Sequence, residues 1–102
     1  MNDIYNALRA CTGFEWDKHN IYKNWEKHRV TPTESEQVFF NQPLILADDA
    51  MHSGAEIRFY ALGSSDRSRR LFISFTIRNL KIRVISSREM SKKEREEYEK
   101  HR

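Results

Sequence analysis

Three side chains of this sequence suit chemistry on a phosphodiester: His28, Arg58 and Arg88. The charge of an imidazole changes near neutral pH, so His28 can accept or donate a proton there. Each arginine can hold phosphate oxygens with a pair of N–H groups. RNA carries its own nucleophile, the 2′-hydroxyl, and its cleavage needs a base, an acid and cations at the phosphate. These residues therefore permit RNA cleavage without a metal or a cofactor, although they do not by themselves demonstrate it.

The sequence lacks the motifs of several other enzyme classes. Its three glycines do not form a nucleotide-binding loop, and no Gly-x-Ser-x-Gly motif marks a serine hydrolase. His19 and His28 are not at a metal-binding spacing, and no zincin motif lies between them. Asp48 and Asp49 are adjacent, so on a strand they would face opposite sides of the sheet. We therefore predict neither a metal site nor a cofactor.

The length and composition of the chain indicate one small cytoplasmic domain. A chain of 102 residues forms one domain with a modest core, which we assign to residues 1–102. The single cysteine, Cys11, cannot form an internal disulfide, as is usual in a reducing compartment. The N-terminal residues lack the pattern of a signal peptide, and no apolar run approaches the ~20 residues of a membrane helix. We expect a protein that does not interact with a membrane.

The charges are distributed unevenly along the chain, although the net charge is only +3. Residues 30–57 contain five acids and no Lys or Arg, whereas residues 67–88 contain seven bases and no acid. This separation predicts a positive surface built from the second half, and positive surfaces attract phosphates. A solvated sheet edge that resists pairing with a neighbour would show the same pattern. The charge layout alone leaves both interpretations open.

Helical spacing and capping residues predict four helices. Apolar residues at helical spacing indicate a short helix within residues 1–13 and a second from about 18 to 28. Trp25 lies on the apolar stripe of the second helix, so we expect it in the core. Capping boxes begin the other two: TPTE at residues 31–34 and SKKE at residues 91–94.

Alternation of apolar and polar residues predicts the strands. FEWD at residues 14–17 has this alternation, and PLILADD from residue 43 indicates another strand. Three longer segments, EIRFYALGSS, RLFISFTIR and KIRVISSRE, are joined by short turns and predict an antiparallel meander. The predicted fold class is α+β, with N-terminal helices packed on a small antiparallel sheet and a C-terminal helix.

Four motifs of the chain resemble those of the BrnT toxin family. The first is FEWD followed by an asparagine and KHRV, which is similar to the family's FEWD…N…KHGV opening. The others follow in the same order: RFYALGSSDRSRRL, IRVISSRE and the closing SKKEREEYE. The resemblance covers residues 14–99, so an extra N-terminal helix at residues 1–13 falls outside it.

The resemblance implies a RelE-like fold and a ribonuclease toxin of a type II toxin–antitoxin system, which arrests growth by cleaving RNA. It also implies a BrnA-like antitoxin with a ribbon–helix–helix fold, and contact with DNA only indirectly through that antitoxin. Because such an antitoxin dimerises, we expect a toxin–antitoxin heterotetramer. A protein of another class is the alternative: a basic module that binds RNA, DNA or a protein without cleaving it.

The candidate site residues fall into a catalytic and a substrate-binding group. We expect Trp16 in the core, as is usual for a tryptophan on a strand, and stacking on an RNA base is the alternative for which it is included among the substrate-binding candidates. The remaining histidines, including His52, are expected at the surface. The candidates are His28, Arg58 and Arg88 for catalysis, and Lys27, Arg83 and Trp16 for substrate binding.

The sequence departs from the family pattern at two positions. Arg29 stands where a glycine usually follows KH, so we expect the end of that helix to differ. Asn20 stands where a lysine often follows the FEWD motif, and we expect Lys18 or Lys23 to supply the missing charge.

Overall fold

The computed structural model describes residues 3–102, in which helices surround a five-stranded sheet, and the predicted α+β class is confirmed. Residues 1 and 2 of the predicted N-terminal helix lie outside the described residues. Every predicted helix and strand has a counterpart, and a short 3-10 helix at Ala50–His52 was not predicted. The helices are α1 (Asp3–Arg9), α2 (Lys18–His28), α3 (Pro32–Val38) and α4 (Lys92–Glu99), and the strands are β1 (Gly13–Glu15), β2 (Ile45–Asp48), β3 (Phe59–Ser64), β4 (Arg70–Arg78) and β5 (Lys81–Glu89).

The strands follow the order β1-β5-β4-β3-β2. The predicted antiparallel meander of β3, β4 and β5 is confirmed, and β2 also pairs antiparallel with β3. The prediction of an entirely antiparallel sheet is wrong at one edge, because β1 pairs parallel with β5. Most of the chain separates these two strands, so no tight turn dictates their relative direction.

The hairpin between β4 and β5 sets the register of the two longest strands. Asn79 and the residue after it both have positive φ, 53° and 59°, as a two-residue type I′ turn requires. Residues that pair across a ladder lie on the same side of the sheet. The register pairs Thr76 with Arg83 and Phe72 with Arg88, which places both arginines on one face.

The apolar core lies between the other face of the sheet and the helices α1 and α3. Ile73, Phe75 and Val84 from the sheet and Val38 from α3 are fully buried there. Gly63 allows α3 to approach β3 closely, since a Cβ atom at this position would lie 2.7 Å from Cγ1 of Val38. This core therefore covers only one of the two faces of the sheet.

Helix α4 covers one end of the face opposite the core. Its Tyr98 packs with Leu62 and Met90 in a second apolar cluster. The Tyr98 hydroxyl donates to the carbonyl oxygen of Pro43 at 3.1 Å and lies 3.0 Å from the Oγ of Ser64, so its buried polar end is satisfied. The rest of this face carries two cavities.

Helix α2 docks on β5 through a polar contact. Asn24 is its buried residue, and its Oδ1 accepts a hydrogen bond from the backbone N–H of Ser87 at 3.2 Å. The prediction that Trp25 lies in the core is wrong, because its side chain is 44% exposed. One residue advances a helix by about 100°, so a helix that turns Asn24 toward the sheet turns Trp25 away from it.

Arg29 ends α2 in the left-handed conformation, with φ 54° and ψ 43°. The helix therefore ends as it would with the glycine that Arg29 replaces, contrary to expectation. This conformation costs a non-glycine residue roughly 1–2 kcal/mol. Two contacts offset the cost: the guanidinium lies 5.0 Å from the ring centre of Trp25, and the carbonyl oxygen accepts a hydrogen bond from Arg69 at 2.8 Å.

The two predicted capping boxes differ in the structure. Ser91 and Glu94 form the complete reciprocal box at the start of α4. At the start of α3, the Oγ1 of Thr31 accepts a hydrogen bond from the N–H of Glu34 at 3.1 Å, as predicted. The Glu34 carboxylate, however, turns inward and accepts a hydrogen bond from Arg69 at 3.0 Å.

Candidate active site

The sheet face opposite the core carries polar and aromatic side chains. The pairing of the strands puts Tyr60, Phe72, Arg83 and Arg88 on this face, which we call the open face. Arg83 and Arg88 are five residues apart, and they share a face because β5 has one extra residue where the register shifts between Ser74 and Phe75. One cavity lies on it beside α2, and another lies beside α4. The 3-10 helix contributes His52 to both cavities.

The cavity beside α2, which we call the Arg58 cavity, has a volume of about 530 Å³ and contains cations that can bind an anion. Arg58, Arg83 and Lys23 line it. Among residues 3–102, Arg58 and Lys23 form no ion pair. Asn20 lines the same cavity, and Lys23, one helical turn further on, puts an ammonium group there.

The FEWD segment positions Arg83 at this cavity. The carboxylates of Glu15 and Asp17 lie 3.1 and 3.6 Å from the Arg83 guanidinium nitrogens. Asp17 also caps α2, because its Oδ1 accepts hydrogen bonds from the backbone N–H groups of His19 at 2.8 Å and Asn20 at 3.2 Å. The two acids thus hold Arg83 and start the helix that flanks the cavity.

The cavity beside α4, which we call the Arg88 cavity, has a volume of about 420 Å³ and places Arg88 on an aromatic platform. The guanidinium carbon lies 4.1 Å from the ring centre of Phe72, which stacks on Tyr60 at 5.1 Å. Nη1 and Nη2 of Arg88 donate to the two carboxylate oxygens of Glu94 at 2.8 and 3.0 Å. Burial raises the pKa of Glu94, but the hydrogen bonds from Arg88 and the Ser91 backbone lower it more, so the carboxylate stays charged.

Arg88 keeps one edge of its guanidinium available. A guanidinium has five N–H groups, and hydrogen bonds to Glu94 and to the carbonyl oxygen of Glu89 use both on Nη1 and one on Nη2. Within the described part of the chain, no acceptor bonds the N–H of Nε or the second N–H of Nη2. These two groups lie side by side and form the fork that binds two phosphate oxygens.

His28 lies half-buried at the C-terminal end of α2, near the cations of the open face. Burial lowers its pKa, and the charges of Arg88, Lys27 and Arg69 lower it further. The imidazole is therefore held in its neutral form, which is the form that accepts a proton. The charge of Arg88 thus acts on His28, although His28 lines neither cavity of the open face.

The other two predicted substrate-binding residues lie in different places. Lys27 is exposed on the last turn of α2, beside His28. The structure does not bring Trp16 to the open face, because its ring packs against the core and its Nε1 donates to Glu36 of α3 at 2.8 Å. Glu15 reaches Arg83, and the next side chain along an extended segment points to the opposite side.

The separation of charge along the sequence does not produce a broad positive surface. Six of the seven bases in residues 67–88 pair with carboxylates. The acidic segment supplies some of these partners: Glu34 pairs with Arg69 at 3.0 Å, and Glu56 pairs with Arg78 at 2.7 Å. On the open face, Arg58, Lys23 and the free edge of Arg88 remain available to a ligand.

Sequence reasoning missed three contributors to the open face, namely His52, Tyr60 and Phe72. Tyr60 and Phe72 alternate with core residues on predicted strands, so the period-two pattern was a signal that could have placed them opposite the core. His52 had no such signal, because the 3-10 helix that carries it was not predicted.

A larger cavity, of about 680 Å³, lies beside α3, and it differs from the Arg58 cavity in how its arginines are paired. Arg67 and Arg69 line it, but both pair with Glu34. Arg29, also on its wall, stacks on Trp25. Its cations are therefore already engaged, unlike Arg58 and Lys23 of the Arg58 cavity.

The described part of the chain, residues 3–102, contains no group of three or more His, Cys, Asp or Glu side chains placed to hold a metal ion. No helix in the same range is long and apolar enough to cross a membrane. The two cavities of the open face are lined by guanidinium, ammonium and imidazole groups, together with four carboxylates, those of Asp49, Glu56, Glu94 and Glu97.

Known proteins share both the fold and the sequence pattern of this chain. No curated protein sequence matches it significantly. Its fold is similar to that of the crystal structure of the Brucella abortus ribonuclease toxin BrnT, with a TM-score of 0.60 and 19% identity, over 79% of this chain and 99% of that chain. The family model described as the ribonuclease toxin BrnT of type II toxin–antitoxin systems matches residues 16–94. Since that match covers most of the chain, the protein belongs to the BrnT family of ribonuclease toxins of type II toxin–antitoxin systems.

Proposed function

We propose that this protein is an endoribonuclease that cleaves RNA without a metal ion. The observation that carries the proposal is that Arg58, Arg83 and Arg88 share one sheet face, and that the charge of Arg88 helps to lower the pKa of His28. Cations that are oriented before the substrate arrives stabilise the charge that develops on a phosphate in the transition state. A module that binds RNA, DNA or a protein without cleaving it would use the same cations, but it would need no neutral imidazole beside them.

In the proposed reaction the 2′-hydroxyl attacks the adjacent phosphorus, and the bond from phosphorus to the 5′-oxygen breaks. His28 accepts the proton of the 2′-hydroxyl, which suits an imidazole with a lowered pKa. Arg58 and the free edge of Arg88 bind the non-bridging oxygens, while Arg83 and Lys27 hold neighbouring phosphates. The products are a 2′,3′-cyclic phosphate and a 5′-hydroxyl.

The purified protein is expected to cleave single-stranded RNA in excess EDTA, because its own side chains supply the proton transfer and the charge stabilisation. Each cut should leave a 2′,3′-cyclic phosphate and a 5′-hydroxyl. Gel electrophoresis of end-labelled RNA and mass spectrometry of the fragments measure both outcomes. The reaction is run with and without translating ribosomes, so that a requirement for a ribosome-bound substrate is detected.

A 2′-O-methyl RNA of the same sequence is the control, since it keeps the phosphates and lacks the nucleophile. Cleavage of this control would contradict the proposed attack by the 2′-hydroxyl. Cleavage that EDTA abolishes and one added metal restores would contradict the metal-independent mechanism. RNA binding without cleavage under all conditions would favour the non-catalytic alternative.

The same proposal includes a partner, a BrnA-like antitoxin with a ribbon–helix–helix fold. Membership of a type II toxin–antitoxin family supports a protein antitoxin, and a dimeric antitoxin would bring two toxin chains into a heterotetramer. The protein would then contact DNA only through its partner and would act on RNA in the cytoplasm. The proposal also includes that the fold is RelE-like.

We expect the neighbouring gene to encode a small DNA-binding protein, and co-expression with it to yield a complex of two copies of each. Occlusion of the open face should remove RNase activity, because the cations there would no longer reach RNA. Light scattering after size-exclusion chromatography gives the mass, and the cleavage assay gives the inhibition. A chain that stays monomeric and fully active beside that neighbour would contradict the assignment of the partner.

A further inference from the structure

His52 occupies a position that the proposed reaction does not yet use. It is the residue shared by the walls of the Arg58 cavity and the Arg88 cavity. Its side chain is 67% exposed, so a ligand on the open face can reach it. A phosphate held by Arg58 and Arg88 would therefore lie within the region that His52 borders.

Asp49 holds the imidazole of His52 from one side. The two carboxylate oxygens lie 3.0 and 3.1 Å from Nδ1, and the Asp49 side chain is only 15% exposed. A carboxylate can only accept a hydrogen bond, so Nδ1 is the donor and carries a proton. This leaves Nε2 as the nitrogen that can exchange a proton with a substrate.

Hydrogen bonds connect this pair to the segment that carries Arg58. The backbone N–H of Asp49 donates to the carbonyl oxygen of Arg58 at 2.8 Å. The hydroxyl of Ser53 donates to the carbonyl oxygen of Asp49 at 3.0 Å and accepts from the N–H of Arg58 at 2.9 Å. His52 and Arg58 therefore belong to one hydrogen-bonded unit, which fixes the imidazole relative to the backbone that carries the Arg58 side chain.

We propose that His52 is the general acid of RNA cleavage, an inference that rests on the proposed function. Its Nε2 gives a proton to the 5′-oxygen as the bond between that oxygen and phosphorus breaks. His28 takes the proton of the 2′-hydroxyl as the new bond to phosphorus forms. One proton leaves the substrate and one enters it, so the two imidazoles exchange their protonation states, and water resets both before the next turnover.

Imidazole suits this role better than the other proton donors of the open face. Tyr60 and Lys93 also line the Arg88 cavity. Phenol and ammonium groups in general release a proton only near pH ~10. An imidazolium releases its proton near neutral pH, where a cytoplasmic enzyme works.

An RNA with sulfur in place of the 5′-oxygen at a mapped cleavage site tests this role, because a thiolate leaves without being protonated. His52→Ala is expected to slow cleavage of ordinary RNA on the order of 100-fold. The same variant should cleave the sulfur-containing RNA close to the wild-type rate. His28→Ala is expected to be slow on both substrates, since each still requires the base.

His101→Ala is the matched control, because His101 is also partly exposed and lies 3.4 Å from the carboxylate of Glu97, but it lines neither cavity. It should leave both rates unchanged, and binding of 2′-O-methyl RNA shows that each variant is folded. Equal losses for His52→Ala on the two substrates, or no loss on either, would overturn the acid role and leave the proposed ribonuclease intact. A wild-type protein that cleaves neither substrate would overturn the proposed function and this inference with it.

Discussion

Replacing Arg88 with alanine is expected to lower the rate of RNA cleavage by about 100- to 1000-fold, which is the loss typical of one preorganised charge-stabilising group. The guanidinium is oriented before substrate binds, by the Glu94 carboxylate and by the ring of Phe72. Its free edge can therefore receive a phosphate with little rearrangement. Single-turnover kinetics at saturating protein measure this loss in the chemical step rather than in binding.

Arg88→Lys separates the contribution of charge from that of geometry. Lysine keeps the positive charge but lacks the two-pronged edge and the flat surface that stacks on Phe72, so most of the loss should remain. Lys92→Ala is the control, because Lys92 is exposed on α4, whereas its neighbour Lys93 lines the Arg88 cavity. Equal activity of Arg88→Ala and Lys92→Ala would show that the reaction takes place elsewhere on the molecule.

The strands could be predicted because period-two alternation is a local property of the sequence. The segments RLFISFTIR and KIRVISSRE form β4 and β5 over the predicted residues, Arg70–Arg78 and Lys81–Glu89. The pairing of β1 could not be predicted in the same way, because a strand of three residues carries no local signal for the direction of a partner far along the chain.

Which arginines are available to a ligand could not be predicted from the sequence. Arg69 forms ion pairs with two carboxylates, and Arg88 is half engaged by Glu94. Arg58 forms no ion pair within residues 3–102. Glu34 and Glu94 reach their partners from helices that pack against the sheet, so the pairing depends on tertiary structure.

Trp25 shows a related limit of sequence reasoning. Helical spacing assigns Trp25 to a buried stripe, but the buried residue of α2 is Asn24, which bonds the backbone of β5. A polar docking contact of this kind depends on a free backbone N–H at the right place on the strand. Apolar periodicity carries no information about that group.

Replacing Arg69 with alanine is expected to lower the free energy of unfolding by about 3–5 kcal/mol, because the largely buried Glu34 carboxylate then keeps only the exposed Arg67 as a cationic partner. Arg69 is 17% exposed and Glu34 is 10% exposed. The guanidinium also donates to Glu89 at 2.9 Å and to the carbonyl oxygens of His28 and Arg29 at 2.7 and 2.8 Å. The free energy of unfolding of a small domain is about 5–15 kcal/mol. Urea denaturation followed by circular dichroism should therefore show a large decrease in the urea concentration at the midpoint of unfolding.

Arg67→Ala is the matched control, because Arg67 pairs with the same Glu34 carboxylate at 3.5 Å but is 74% exposed. An exposed ion pair contributes about 0–1 kcal/mol, so this variant should unfold near the wild-type midpoint. Equal losses for Arg69→Ala and Arg67→Ala would contradict the idea that burial decides the effect. Adding Glu34→Gln to Arg69→Ala should recover part of the stability, since it removes the uncompensated charge. If it recovers none, the loss comes instead from the carbonyl groups at the end of α2, and Arg69 acts mainly by holding His28 beside the open face.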